Sequence, residues 1–245
     1  ENFLVCQDSL LDTLVICNTG AGYLNYSLWS PYGRSAQFDG INDYIRTGTN
    51  MAGQFPDETV TIEAWFMANG AGVIVDEMGQ AAINSGWHDS QIEILGTGEV
   101  RVRVWSLSAV SLGTVSFGTW NHVVMRYNKS TLNLDGFLNG VEAVTDVAGN
   151  RSSPFESGYG QYYALGATDF TNMGSGAYFN GKIDEFRIWN TARTNTEIQS
   201  NMNKSLSGNE AGLVAYWNFD NGTATDLSPN TYDGTFVGNA TAALP

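Results

Sequence analysis

The sequence predicts an all-β fold, a two-sheet antiparallel β-sandwich with one short helix, and three observations carry that prediction. Its 28 glycines, with many Asn, Asp, Ser and Thr, fall between short runs rich in Val, Ile, Phe, Tyr and Trp, as in antiparallel strands joined by tight turns. Several of those runs alternate apolar and polar residues, giving each strand one dry face and one wet face. A single segment carries good helix-start chemistry.

Taken in order, two short strands flank Gln7–Asp12, and a hairpin there brings Cys6 and Cys17 together. A disulfide closing that loop contributes roughly 2–3 kcal/mol by restricting the unfolded chain; the alternative is two buried free thiols. Strands follow at Ser35–Asp39, Asp43–Thr47 and Thr59–Ala68. Gln91–Leu95 pairs with Glu99–Trp105 across Gly96-Thr97-Gly98, a short glycine-containing hairpin loop. In the second of these strands Val100, Val102 and Val104 face the core, and Arg101, Arg103 and Trp105 face the other way. Asn121–Tyr127 starts after the Gly118-Thr119-Trp120 turn and Thr131–Leu134 returns, as in a meander. Tyr162–Gly166, Lys182–Trp189 and Leu213–Phe219 complete the strands. The helix is Thr194–Asn203, with Thr194 as N-cap and Glu197 three residues on, the spacing of a capping box.

A chain of 245 residues, 42% hydrophobic and 15% charged, fits one sandwich with one core over residues 1–245. The formal net charge of −14 argues against nucleic acid and anionic membranes as partners, since either needs a basic stripe. It suits solubility or divalent cations. No run of about 18 apolar residues exists, so no membrane insertion is expected. The opening Glu1-Asn2-Phe3 reads as part of a mature or excised segment. A secreted or cell-surface location, within a larger multidomain protein, is the expectation.

Three stretches together resemble the laminin-G-like, concanavalin A-like jelly-roll domains. They are Ala36-Gln-Phe-Asp-Gly-Ile-Asn-Asp-Tyr-Ile45 followed by Thr59–Phe66, then Trp120–Tyr127 with Leu134-Asp-Gly-Phe-Leu-Asn-Gly140, then Gly181-Lys-Ile-Asp-Glu-Phe-Arg-Ile-Trp189 leading to the helix. The family-like core is residues 35–203. The resemblance implies two face-to-face sheets. It also implies a structural Ca²⁺ near the Phe-Asp-Gly turn, held by Asp39, the Gly40 carbonyl, Asp43 and Asp184, since Ca²⁺ takes oxygen ligands. Asp184 shares its alternation with Phe186 and Ile188, which aims it at the interior side of its sheet. The alternative is that Asp39 and Asp184 only accept backbone N–H bonds. One stretch is out of order: Val214–Gly222 with Asp226–Asn230 and Asp233–Phe236 usually precedes the Phe-Asp-Gly motif. Residues 204–245 are therefore either a displaced strand segment or the start of a following module.

The candidate ligand surface is the polar face carrying Arg101, Arg103 and Trp105, with Gln91 and Glu93 from the neighbouring strand. Sugars stack their C–H faces on exposed rings while planar polar groups bond the hydroxyls. The bland alternative is a solvated face of Arg–Glu cross-strand pairs. A second aromatic group lies in loops: Trp87 with His88 and Asp89, and Tyr159 and Tyr162 with Phe170. Trp65, Trp120, Trp189 and Trp217 are assigned to the core.

Catalytic signatures are missing. The sequence has no Glu-x-Asp-x-x-Glu run, the alternate-spaced acids of sandwich-fold glycoside hydrolases, and no Gly-x-Ser-x-Gly elbow or HExxH helix. Three function classes follow. The first is a non-catalytic extracellular recognition module binding a glycan or a cell-surface or matrix protein. The second is a structural spacer of a larger surface protein, and the third an unrecognised carbohydrate-active enzyme.

Overall fold

A computed structural model describes residues 4–7, 14–17, 33–82, 88–151, 160–168 and 178–244. Its strands in chain order are β1 (Leu4–Gln7), β2 (Leu14–Cys17), β3 (Ser35–Asp39), β4 (Tyr44–Thr47), β5 (Val60–Ala68), β6 (Gly72–Met78), β7 (His88–Ile94), β8 (Glu99–Arg103), β9 (Val110–Thr114), β10 (Trp120–Asn128), β11 (Asn133–Leu138), β12 (Val141–Ala148), β13 (Tyr162–Leu165), β14 (Asn180–Trp189), β15 (Leu213–Trp217), β16 (Gly234–Val237) and β17 (Thr241–Ala243), with helix α1 at Asn195–Asn201. An eight-stranded sheet runs β12-β11-β10-β5-β14-β3-β17, with β15 also beside β14; a seven-stranded sheet runs β16-β4-β13-β6-β7-β8-β9.

The predicted alternation decides what lies between the sheets. Ile62, Ala64 and Phe66 of β5, Val123, Met125 and Tyr127 of β10, and Ile183, Phe186 and Ile188 of β14 meet Ile92 and Ile94 of β7 and Val100 and Val102 of β8 in one fully buried cluster. Each such side chain contributes about 1.5–3 kcal/mol on leaving water. The expected hairpin forms with Gln91 opposite Arg103 and Ile94 opposite Val100. Leu95 N donates to the Glu99 carbonyl at 2.9 Å, and Gly98 takes φ 82°. Between β11 and β12, Asn139 and Gly140 both take positive φ, 53° and 76°, the two-residue turn whose twist matches an antiparallel pair.

The helix starts as its capping box dictates. Thr194 Oγ1 accepts from Glu197 N at 3.2 Å, and Glu197 Oε2 accepts from Thr194 N at 2.8 Å. Among the described residues no helix is long and apolar enough to cross a membrane. The C-terminal stretch adds strands to both sheets: β15 pairs with β14, β17 with β3 and β16 with β4. Trp217 lies in the core between the sheets. Strands within residues 213–243 thus pair into both sheets.

Five strands, β6, β9, β12 and the short β16 and β17, carried no individual prediction in the sequence. β6 is buried along its whole length, so it shows no wet-dry alternation, and Asp76 and Glu77 interrupt its apolar run. β9 and β12 are exposed edge strands whose sequences owe little to the core. At the N-terminus β1 and β2 form the expected hairpin, with Leu4 opposite Cys17 and Cys6 opposite Val15. The register thus offsets the two cysteines by two positions; their side chains lie outside the described residues.

One orientation needs correction. β14 carries a bulge between Asp184 and Arg187, where Glu185 takes φ 50°, and an extra residue in one strand moves everything beyond it to the opposite face. Ile183, Phe186 and Ile188 all reach the core, while Asp184 stands opposite Trp65 on the outward side of the sheet. Strict alternation had placed it with Phe186 and Ile188.

Candidate functional site

The two outward faces of the sandwich differ in what covers them. On the eight-stranded sheet, Val124 and Phe137 pack beneath Ile198 of α1, and a buried polar network ties the sheet to the segment after the helix. Glu63 Oε1 accepts from Trp189 Nε1 at 2.8 Å and Glu63 Oε2 lies 3.2 Å from His122 Nε2. Arg187 bridges Glu185 at 2.7 Å and Glu63 at 3.6 Å. It also donates to the Asn201 and Lys204 carbonyls, while Trp65 Nε1 donates to the Met202 carbonyl at 2.7 Å. A cation and an indole N–H thus meet the carbonyls of Asn201 and Met202 at the helix end, which lack intrahelical donors, and that of Lys204 just beyond it. Burial alone would raise the Glu63 pKa, but Arg187, His122 and Trp189 reverse that and hold it at about 2. Trp65 and Trp189 are therefore buried, as expected, but beneath this covering segment; Trp120 is half-buried. The arrangement closes this face and leaves the seven-stranded sheet as the candidate.

Pairing across the seven-stranded sheet sets Thr235, Arg46, Ala164, Asp76, Gln91 and Arg103 side by side on the outward face, one from each of six adjacent strands. A second row carries Glu93, Arg101 and Ser111. Arg101 and Arg103 thus share a face with Gln91, as their alternation predicts, while Trp105 lies past the end of β8 in the turn closed by Leu107 N on the Val104 carbonyl at 2.9 Å. Trp105 is 50% exposed, Arg101 and Arg103 are half-buried, and Tyr162 is half-buried on the same side beside Met78. Gln91 is the correction: it is 1% exposed, and so is Glu93. Its Nε2 donates to Thr168 Oγ1 at 3.0 Å, and Thr168 donates to Asp76 Oδ2 at 2.9 Å. Gln91 Oε1 is buried without a hydrogen-bond partner among the described residues. Asp76 and Thr168 were missed because a lone Asp inside a buried strand and a Thr in a loop carry no spacing signal. Trp87 and Tyr159 lie outside the described residues.

The four proposed metal ligands do not converge. Asp39 Oδ1 accepts from Ile41 N at 2.8 Å, and Asp43 accepts from Asp39 N at 3.0 Å and from Asn239 N at 2.6 Å; the turn's carboxylates serve backbone donors. Asn180 stands opposite Asp39, so Asp184 is four residues further along β14, about 13 Å away at the rise of a strand. Gly40, at φ 80°, makes the turn. Asp184 instead sits where β14 passes from pairing with β3 to pairing with β15. The register of β3 on β14, continued by one residue, brings it opposite Ser35, whose Oγ is buried with no partner among the described residues. Burial, the Glu185 carboxylate and the Asp220 carboxylate push the Asp184 pKa up to about 9, against a donated Glu185 N–H and Arg187. Asp220 itself is exposed and accepts from Arg34 N at 3.1 Å.

Residues 39–199 match the family described as the concanavalin A-like lectin/glucanases superfamily. The chain belongs to that superfamily. A comparison with curated proteins gave no match. Among solved structures, a candidate carbohydrate-binding protein from Bacteroides ovatus aligns at a TM-score of 0.65 with 18% identity, over 95% of this chain and 66% of that one. The SAP-like pentraxin of Limulus polyphemus aligns at 0.56 with 12% identity, over 88% of this chain and 96% of the other. The NanB sialidase of Streptococcus pneumoniae aligns at 0.51 with 16% identity, over 75% of this chain and 30% of that enzyme. At these identities the superfamily likeness speaks for the fold, and the function is argued from the site.

Proposed function

We propose that this superfamily member is a non-catalytic carbohydrate-binding module, working outside the cell within a larger protein, and that it holds a glycan on the outward face of the seven-stranded sheet. The observation that carries the reading is Trp105, a half-exposed indole two residues beyond Arg103 at the end of β8. An exposed ring offers a stacking surface for a sugar, and planar guanidinium groups such as those of the half-buried Arg101 and Arg103 fix orientation through hydroxyls. The likeness to a candidate carbohydrate-binding protein supports the same reading. Affinity electrophoresis against a panel of polysaccharides tests it, with reducing-end release measured in parallel. Retardation by a glycan with no release is the expected result; release of reducing ends would overturn the non-catalytic part.

A second reading, a spacer or protein-adhesion module with a solvated sheet face, has its own support in Arg101, which lies 3.7 Å from Glu93 and 3.5 Å from Glu99. Absence of any retardation would favour it. Calcium belongs to the proposal at Asp184, with Asp220 and the Ser35 hydroxyl, and not at the Asp39–Asp43 turn. Two carboxylates and a hydroxyl with no partner among the described residues are oxygen donors of the kind Ca²⁺ takes, and the ion would displace the proton that burial keeps on Asp184. Melting temperature in Ca²⁺ against EDTA reads this independently of any glycan: a rise in Ca²⁺ that Asp184→Asn abolishes is expected, and identical melts would remove calcium.

A further inference from the structure

Four Asn–Gly pairs occur in the chain, Asn69-Gly70, Asn139-Gly140, Asn180-Gly181 and Asn221-Gly222, and the fold treats one of them differently from the rest. An asparagine followed by glycine can react with its own backbone, the glycine amide nitrogen attacking the asparagine Cγ. Because glycine has no Cβ, that nitrogen is unshielded and its backbone is free to bring it close. The step needs a near-attack geometry, so hydrogen bonds that hold the side-chain amide or the attacking N–H suppress it.

Three pairs are held. Asn139 has both ends of its amide engaged: Oδ1 accepts from His122 N at 2.9 Å and Nδ2 donates to Asn121 Oδ1 at 3.0 Å. Asn221 Oδ1 accepts from Thr223 N at 2.9 Å and from Thr223 Oγ1 at 2.6 Å. Gly222 N, which would have to attack, donates to the Phe219 carbonyl at 2.8 Å. Asn180-Gly181 lies inside β14, where Gly181 stands between Phe38 of β3 and Ala68 of β5. Pairing on both sides fixes that backbone in an extended form, which keeps the nitrogen away from the side chain.

Asn69-Gly70 has none of these restraints. It lies in the short link between β5, which ends at Ala68, and β6, which starts at Gly72, where the chain passes from one sheet to the other. Asn69 is exposed and Gly70 half-exposed. Asn69 N donates to the Asn180 carbonyl at 2.8 Å, which anchors the residue. Neither the Asn69 side-chain amide nor Gly70 N has a hydrogen-bond partner among the described residues.

We propose that Asn69 is a self-modification site, converting to aspartate and isoaspartate by attack of Gly70 N while the other three pairs stay intact in the folded protein. Gly70 N loses its proton to hydroxide and bonds to Asn69 Cγ; the Cγ–Nδ2 bond breaks, and Nδ2 takes a proton from water and leaves as ammonia. Water then opens the cyclic imide. Cleavage at Cγ gives aspartate, and cleavage at the main-chain carbonyl carbon gives isoaspartate, with the chain now running through the side chain. Nothing is oxidised or reduced. Either product adds one negative charge, and isoaspartate adds one main-chain carbon to the link between the sheets.

The test incubates the full chain, folded and in guanidinium chloride, side by side at mildly alkaline pH, and follows each asparagine by peptide mapping. In denaturant all four pairs should convert at comparable rates, because only local sequence is left. In the folded protein Asn69 should lead, each hydrogen bond that must break first slowing Asn139 and Asn221 by about two- to tenfold. Gly70→Ala should remove most of the acidic product. A Cβ there meets nothing nearer than Asn180 Cβ at 3.7 Å, so the variant fits the fold, and an unchanged melting temperature checks that. Folded-state conversion at Asn139, Asn180 or Asn221 as fast as at Asn69 would overturn the proposal. So would an Asn69 that converts in denaturant but not in the folded chain, or a Gly70→Ala variant that converts as fast as the parent.

Discussion

Replacing Asp184 with Asn should make the protein more stable at neutral pH, because the fold holds this carboxyl where its charge is unwelcome. Asp184 is 3% exposed, and burial together with the Glu185 and Asp220 carboxylates raises its pKa from 3.8 to about 9. A carboxyl whose folded pKa is raised favours the folded state least at high pH. The unfolded chain releases its proton near pH 3.8 while the folded chain keeps it, so stability falls as pH rises between those two values. At pH 7 the gap is about three pH units, or about 4 kcal/mol at about 1.4 kcal/mol per unit. Asn keeps the size and can accept the Glu185 N–H now received by Asp184 Oδ1 at 2.8 Å, but it cannot ionise. Asp184→Asn should therefore gain up to about 4 kcal/mol at pH 7 and almost nothing at pH 4. At about 2–4 °C per kcal/mol for a chain of this size, the melting temperature should rise by roughly 8–15 °C. Thermal melts of both proteins in EDTA at pH 4, 5.5, 7 and 8.5 measure this. An Asn variant no more stable than the parent at pH 7, or offset equally at every pH, would refute the reasoning.

Two further predictions concern the opposite end of the pH scale and the helix. Glu63 is held at about 2, below its ordinary 4.5, so its stabilisation is complete above pH 4.5 and fades as pH falls toward 2. Glu63→Gln should cost about 3 kcal/mol at pH 7 and much less near pH 2.5, read from urea denaturation midpoints. A constant cost across that range would show that packing, not charge, is lost. Thr194→Ala removes the side chain that accepts from Glu197 N and should cost about 1 kcal/mol without altering glycan affinity, as measured by melting and titration together.

The legible parts of this protein were those written in local chemistry. Val100, Val102 and Val104 alternate with Arg101, Arg103 and Trp105 whatever the rest of the chain does, and a strand with that pattern must turn its valines inward once a second sheet exists. The Gly96–Gly98 turn and the Thr194–Glu197 capping box depend on residues three or four apart, so they too could be read directly. Edge strand β12, exposed along most of its length, and β6, buried along all of it, left no such periodicity.

By itself, then, the sequence determined the fold class, the pairing of Gln91–Ile94 with Val100–Arg103, the helix start and the face shared by Arg101 and Arg103. The tertiary structure decided which polar groups are buried and which carboxylates meet. The bulge in β14 turned Asp184 to the outward side of its sheet and the register kept it from Asp39. Strands β15–β17 returned to both sheets, and Gln91 was set into a buried chain with Thr168 and Asp76 from distant parts of the sequence. The reason is physical: alternation fixes which side of a strand a residue faces only until a bulge shifts the phase. What then lies over that side depends on strands that are neighbours in space and remote in sequence.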